Sequence, residues 1–202
     1  MANAEHNLSN VQRIGFLADT HSNKADGSDL PQQVFDAFAG VDLIVHLGDI
    51  GRKGIIDRLG EVAPVLVPAG DDKGWIPAGR DDVAPLKVIE AGGASVGLTF
   101  NLTKPDKAIV VEDGAPLQFG KSLPDLLKRR FGRHVDAVAF AGTHRQRHEE
   151  HDGVLFFDPG SPTLPSDRQG DGDLGSVAVL DLSQGKATVE LRRLSKASVS
   201  AG

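Results

Sequence analysis

The strongest constraint in the sequence is a series of short apolar runs, each of which ends abruptly in a polar turn. Residues 13–18, 41–47 and 64–67 have the length and the β-forming residues of buried strands. Residues 29–38 and 53–59, which separate them, fit helices. Strands that alternate with helices predict parallel pairing within a layered α/β domain.

The rest of the chain gives a less regular pattern. A helix is predicted at 123–131, two strands are predicted at 136–140 and 153–157, and two hairpins at 87–100 and 176–191. No period is visible in residues 101–121, so no element is predicted there. Length favours one domain: we expect it at 13–194, between a flexible leader at 1–12 and a flexible tail at 195–202.

Composition excludes several classes of protein. The 22 basic and 28 acidic residues give a net charge of −6, which argues against a large nucleic-acid footprint. The chain has no cysteine, so disulfides, thiolate zinc sites and cysteine nucleophiles are excluded. It also lacks an apolar run long enough to span a membrane. Residues 1–12 lack the features of a secretory signal, and we therefore expect a cytoplasmic protein.

Carboxylate and imidazole side chains follow directly after successive predicted strands. They are Asp19, His21, Asp49, Asp71, Asp72 and His144. In an open α/β sheet this edge is where ligand sites form, so these residues are expected to share one rim. Carboxylate oxygens mixed with imidazole nitrogens suit Mn, Fe, Zn or Mg rather than a soft metal.

Each of these residues also has an ordinary structural interpretation. Asp and Gly after a strand commonly form turns or cap helices. His46 lies in the middle of a predicted strand, which favours a packed core histidine over a ligand, and His134, His148 and His151 are predicted at the surface. The metal interpretation depends on the joint pattern at four strand ends.

Five segments resemble, in order, the sequence blocks of the calcineurin-like metallophosphoesterases, most closely the small YfcE-type phosphodiesterases. They are IGFLADTH at 14–21, LIVHLGD at 43–49, GDD at 70–72, GTH at 142–144 and FDPGS at 157–161. The resemblance implies a two-sheet β-sandwich flanked by helices, with two metal ions at the strand ends. It assigns one ion to Asp19, His21, Asp49 and His144.

The second ion of the family would share Asp49, but its other ligand positions are altered. Asp71 stands where the family has Asn and can still bind a metal. Phe100 and Gly142 stand where the family has histidines and cannot. Asp72 occupies the position of a histidine with a proposed acid role in larger members, which makes it the candidate catalytic residue.

Three hypotheses remain open from the sequence. The first is a metal-dependent phosphoesterase with one firmly bound ion, or with a second ion recruited by Asp49, Asp71 and Asp72. The second is an impaired family member that serves as a scaffold binding a metal, a nucleotide or a protein. The third is an ordinary α/β domain with Asp-rich turns.

The resemblance also sets expectations for cofactor and partners. The cofactor is a divalent metal, Mn foremost, with Fe, Zn, Ni and Mg as alternatives, in one or two ions. The substrate is a small phosphoester or a nucleotide. No membrane partner is expected, and association into homo-oligomers stays open.

Overall fold

The computed structural model describes residues 8, 10–68, 88–104, 107–170, 172–183 and 186–196. The helices are α1 Gln32–Ala37, α2 Gly54–Leu59 and α3 Leu123–Phe131. The strands are β1 Arg13–Leu17, β2 Leu43–His46, β3 Val65–Leu66, β4 Val88–Ala91, β5 Ala94–Leu98, β6 Ile109–Val110, β7 Gln118–Phe119, β8 Ala137–Ala139, β9 Gln146–His151, β10 Val154–Pro159, β11 Asp173–Asp181 and β12 Thr188–Ser195. Within these ranges, no helix has the length and apolar character that crossing a membrane requires.

Two five-stranded sheets form the body of the protein. The first has the order β12-β11-β1-β2-β3, and its strands β1, β2 and β3 are parallel, as the alternation of strands and helices predicted. The second has the order β4-β5-β8-β10-β9, with β5, β8 and β10 parallel and an antiparallel strand at each edge. Strands β6 and β7 form a separate small sheet.

The core is divided into three apolar layers. One fills the space between the two sheets, where the rings of Phe16 and Phe157 meet edge to face with centroids 4.9 Å apart. The second lies between the first sheet and helices α1 and α2. The third packs α3 and strand β6 against the second sheet. This arrangement confirms the predicted β-sandwich flanked by helices.

A glycine in each sheet allows a phenylalanine from the outer layer to approach closely. A Cβ atom on Gly15 of β1 would lie 2.7 Å from the ring of Phe38, at the end of α1. A Cβ atom on Gly97 of β5 would lie 2.6 Å from the ring of Phe131, in the last turn of α3. A larger residue at either position would overlap the phenylalanine ring, so that the ring or its helix would have to move.

None of the three strands β6, β7 and β9 was predicted from the sequence. β6 and β7 lie within residues 101–121, where no element was predicted. β9 consists only of polar residues and pairs on one side with β10, so it lacks the apolar alternation of a half-buried strand. Its Arg147 and Glu149 side chains bind backbone groups of Ala115 and Leu117, which fastens the β6–β7 hairpin to the sheet.

Gly97→Ala tests the close approach of α3 to the second sheet. The added methyl group overlaps the Phe131 ring, so we expect the free energy of unfolding to fall by about 1–3 kcal/mol. Chemical denaturation measures this loss. Gly172→Ala is the matched control, since a Cβ atom there meets nothing within 4 Å. Equal stability of the two variants would contradict the packing described here.

Candidate metal centre

The structure brings four of the predicted metal ligands together at one edge of the sandwich. Asp19 and His21 follow β1, Asp49 follows β2, and His144 follows β8. One ligand atom of each residue lies within 4.8 Å of those of the other three. The other two candidates, Asp71 and Asp72, lie outside the described residues.

The distances between ligand atoms fit a shared cation. The Nε2 atoms of His21 and His144 are 3.3 Å apart. His21 Nε2 lies 3.4 Å from Asp49 Oδ2, and His144 Nε2 lies 3.6 Å from Asp19 Oδ1. Neighbouring ligands that surround an ion at about 2.0–2.2 Å are separated by about 2.8–3.6 Å in octahedral or tetrahedral geometry. The Asp19 side chain is fully buried, whereas His21 and Asp49 are 38% and 34% exposed, so the centre opens to solvent on one side.

All four residues have a left-handed backbone conformation. The φ angles are +53° at Asp19, +43° at His21, +53° at Asp49 and +58° at His144. They account for four of the six non-glycine residues with positive φ in the described part of the chain. Such conformations cost energy and concentrate at functional sites, where the surrounding structure maintains them. This backbone strain is an indication of function that is independent of the side chains.

Hydrogen bonds between the two turns that follow β1 and β2 maintain this conformation. The Asp19 N–H donates to the Gly48 carbonyl and the His21 N–H to the Asp49 carbonyl, each at 2.9 Å. The parallel pairing of β1 and β2 thus continues beyond the strands into the turns. As a result, three of the four ligand residues belong to one hydrogen-bonded unit.

Asp19 has the environment of a carboxylate that binds a cation. Its Oδ2 atom accepts the Gly142 N–H at 3.0 Å, but Oδ1 is buried without a hydrogen-bond partner. Burial raises the pKa of Asp19 to about 6, and the neighbouring Asp49 carboxylate adds to this rise. The Gly142 N–H and the His144 ring, when it carries a positive charge, act in the opposite direction. A cation beside Oδ1 would satisfy this oxygen and stabilise the charged form.

His144 is oriented by a contact on the far side of its ring. Its Nδ1 atom lies 2.8 Å from the Leu164 carbonyl, which can only accept, so Nδ1 carries the hydrogen. In the neutral ring, Nε2 then presents its lone pair toward Asp19. Histidine ligands of metals are oriented in this way by backbone carbonyls.

Ser161 connects the two sides of the centre. It is fully buried, and its Oγ atom donates to the Asp19 carbonyl and accepts the Leu164 N–H, each at 2.8 Å. One hydroxyl therefore positions both Asp19 and the segment that orients His144.

His46 is the core histidine that the sequence predicted, and it is not one of the four ligands. Its Nδ1 atom accepts the Gly48 N–H at 3.3 Å, so Nε2 carries the hydrogen and donates to Thr20 Oγ1 at 2.9 Å. Burial lowers the pKa of His46 to about 3, which keeps the ring neutral. His134 and His148 are exposed as expected, whereas His151 is half-buried and contacts Glu149.

Asp158 is a buried residue whose role the sequence did not reveal. Its Oδ1 atom accepts the Gly160 N–H and its Oδ2 atom contacts Thr143 Oγ1, each at 2.8 Å. Burial raises the pKa of Asp158 to about 8, so the carboxyl group is mostly protonated at neutral pH. From the sequence, Asp158 was placed within the FDPGS segment at 157–161 and was given no role.

A protonated Asp158 also resolves a conflict in the hydrogen bonds of Thr143. The Thr143 hydroxyl lies 3.1 Å from the Arg145 carbonyl and 2.8 Å from Asp158 Oδ2, but it has one hydrogen to donate. If Asp158 donates to Thr143, the hydroxyl hydrogen is free for Arg145. Asp158 thereby fixes the turn that carries His144.

The residues present fit a divalent cation. Two carboxylates and two imidazoles form a mixed oxygen and nitrogen ligand set, one oxygen lacks any other partner, and one imidazole is held in the tautomer that binds a metal. Strain, burial and side-chain chemistry thus agree on the same point in the structure.

Ser161→Ala tests the positioning of Asp19 and His144. Loss of the two hydrogen bonds should raise the dissociation constant for Mn²⁺ by about 10–100-fold, as is usual for residues that orient metal ligands. Isothermal titration calorimetry gives the constant. Ser183→Ala, in an exposed turn, is the control. Unchanged affinity in Ser161→Ala would show that the hydroxyl does not support the centre.

Asp158→Asn tests the protonation of the buried carboxyl group. The pKa of Asp158 is higher in the folded protein than in the unfolded chain. The free energy of unfolding that the protonated Asp158 contributes is therefore fully present below about pH 4 and is lost as pH rises to about 8. Asn donates to Thr143 at every pH, so the stability of the variant relative to wild type should increase over this range. Denaturation at several pH values measures the difference.

The control for Asp158→Asn is Asp57→Asn, which removes a negative charge from the exposed face of α2. A stability difference between Asp158→Asn and wild type that stays constant or falls from about pH 4 to about pH 8 would contradict the raised pKa of Asp158.

Comparison with known proteins identifies the family. Residues 13–185 match the model of the calcineurin-like phosphoesterase superfamily domain. The chain is 29% identical over 159 residues to the probable metallophosphoesterase MJ0623 of Methanocaldococcus jannaschii, covering 78% of this chain and 72% of the relative. It is 30% identical over 153 residues to a probable metallophosphoesterase of Methanothermobacter thermautotrophicus, covering 75% and 78%.

Solved structures show the same fold. Protein TM1076 of Thermotoga maritima superposes with a TM-score of 0.59 at 24% identity and covers 91% of this chain and 100% of its own. A novel archaeal phosphodiesterase gives 0.57 at 18% identity, with 90% and 99% covered. Vps29 of Entamoeba histolytica, solved with zinc, gives 0.56 at 19% identity, with 90% and 98% covered. From the family model and these relatives, the chain belongs to the calcineurin-like phosphoesterase superfamily.

Proposed function

We propose that the protein hydrolyses phosphoesters, phosphodiesters foremost, with a divalent metal ion bound by Asp19, His21, Asp49 and His144. The observation that carries the proposal is the convergence of four ligand side chains, all from left-handed residues, on one solvent-accessible point. Membership of the phosphoesterase superfamily supports this chemistry. The phosphodiesterase in the name of one structural neighbour is consistent with it.

The ion would supply Lewis acidity toward a phosphoryl oxygen and would lower the pKa of a bound water. The protein's own contribution is to fix the ligands in advance. Asp19 holds its charge at the buried side of the centre, and the left-handed turns keep the other ligand atoms in place before any ion or substrate arrives. His21 and Asp49 border the open side, which is where a phosphoester would approach.

The finer assignments follow from the chemistry of the ligand set and from sequence position. Two carboxylates and two imidazoles favour Mn²⁺, with Fe, Zn, Ni and Mg as alternatives. We assign Asp71 as an additional ligand of the same ion and Asp72 as the acid that protonates the leaving group. The proposed substrate is a small phosphoester or a nucleotide, and the proposed compartment is the cytoplasm.

A binding scaffold is the second candidate function. It is favoured by the replacement of two expected histidine ligands by Phe100 and Gly142. A scaffold of this kind would retain the metal centre and lack turnover. Metal content and hydrolysis must therefore be measured on the same preparation.

Asp49→Asn tests the proposed function. Asn keeps the shape of the side chain and tolerates the left-handed conformation, so the fold should be retained while one charged ligand is lost. With Mn²⁺ and bis(p-nitrophenyl) phosphate, we expect kcat/KM to fall by at least about 100-fold, together with the metal content.

The matched control is Asp57→Asn, which should behave like wild type. Hydrolysis by Asp49→Asn at the rate of wild type would overturn the proposed site. A metal-loaded wild-type protein that hydrolyses none of a panel of phosphomonoesters, phosphodiesters and nucleotides would favour the scaffold.

A further inference from the structure

We infer that the metal centre is mononuclear, because the ring of Phe100 fills the space beside Asp49 in which a second ion would have to bind. This inference rests on the proposed function, since it assumes that an ion occupies the four-ligand site. It concerns the number of ions, which the family resemblance leaves at one or two.

The position of the ring follows from its distances to two glycines. A Cβ atom on Gly48 would lie 2.5 Å from Phe100 Cδ2, and a Cβ atom on Gly142 would lie 3.2 Å from Phe100 Cε1. Gly48 directly precedes Asp49, and the Gly142 N–H binds Asp19. The ring therefore lies between the turn that carries Asp49 and the turn that leads to His144.

Among the described residues, the side-chain positions 100 and 142 that border this space offer no ligand atom to a cation. The ring presents carbon atoms, and Gly142 presents an N–H group and no side chain. Phe100 is 9% exposed and belongs to the apolar layer between the sheets, together with Leu98 and Ala141. A divalent ion needs oxygen, nitrogen or sulfur ligands around it, and an apolar wall supplies none.

The backbone on both sides of the ring is fixed. The Thr99 N–H donates to the Ala139 carbonyl at 3.0 Å, and the Ala141 N–H donates to the Phe100 carbonyl at 2.9 Å. Arg130, at the end of α3, adds bonds from Nη1 to Thr99 Oγ1 at 3.0 Å and from Nη2 to the Leu102 carbonyl at 2.7 Å. These contacts hold the backbone of residues 99–102 in place, and with it the point from which the Phe100 ring extends.

Positions 100 and 142 are also coupled by packing. A side chain at 142 would point toward the Phe100 ring, and Gly142 has a φ of +87°, which favours glycine. The two departures from the family pattern are thus neighbours in the structure, and the ring at 100 leaves little room for a side chain at 142. A longer ligand side chain at 142 would therefore have more room once the ring is removed.

The first experiment uses the unaltered protein loaded with Mn²⁺. We expect about one Mn per chain by elemental analysis and the electron paramagnetic resonance spectrum of isolated Mn²⁺ ions. Two ions per chain, or the spectrum of an exchange-coupled pair, would overturn the mononuclear centre and leave the proposed function standing. Absence of bound metal would overturn the proposed function instead.

The second experiment tests whether the Phe100 ring is what excludes a second ion. In the double variant Phe100→His with Gly142→His, we expect a second Mn per chain and an exchange-coupled spectrum. Phe100→Leu is the matched control, because it keeps an apolar side chain and should still bind one ion. A folded double variant that binds one ion would contradict the role assigned to the ring, and the measurement on the unaltered protein remains decisive if the double variant fails to fold.

Discussion

The parallel pairing of β1 with β2, extended past the ends of both strands, is the constraint on which the centre depends. Leu17 is paired with His46 in the last register position, and the Leu47 N–H continues the ladder to the Leu17 carbonyl. Beyond this point the chains form two facing turns. These turns hydrogen-bond to each other while Asp19, His21 and Asp49 have left-handed conformations, and their ligand atoms face one point.

The second sheet completes the centre and makes it dependent on the packing of the sandwich. His144 comes from the turn after β8, and Ser161 from the segment after β10. Ser161 binds the backbone of Asp19 across the junction of the two sheets. The apolar layer between the sheets therefore does more than stabilise the fold, since it sets the distance between the two halves of the ligand set.

Many of the strands, helix α3 and four of the metal ligands could be predicted from the sequence, because each is determined by residues close together in the chain. Short apolar runs predicted the parallel strands, and the polar residues after them predicted which side chains meet. Helix α3 was predicted at 123–131, which are its observed ends; Ser122 caps its start, and Gly132 after it is left-handed. His46 could be placed in the core from its position within an apolar run.

What the sequence could not predict depends on distant contacts. β9 has the composition of a loop and is a strand because β10 offers it an edge. Asp158 looks like a turn residue until its burial and its contact with Thr143 are known. The loss of ligands at Phe100 and Gly142 is readable from the sequence, but the packing of one against the other requires the structure.

The most direct test of the metal centre is the crystal structure of the Mn²⁺-loaded protein, with anomalous diffraction to locate manganese. One anomalous peak in bonding contact with Asp19, His21, Asp49 and His144 is the predicted result. A peak elsewhere, or a fully loaded crystal with ordered side chains and no peak among these four residues, would contradict it.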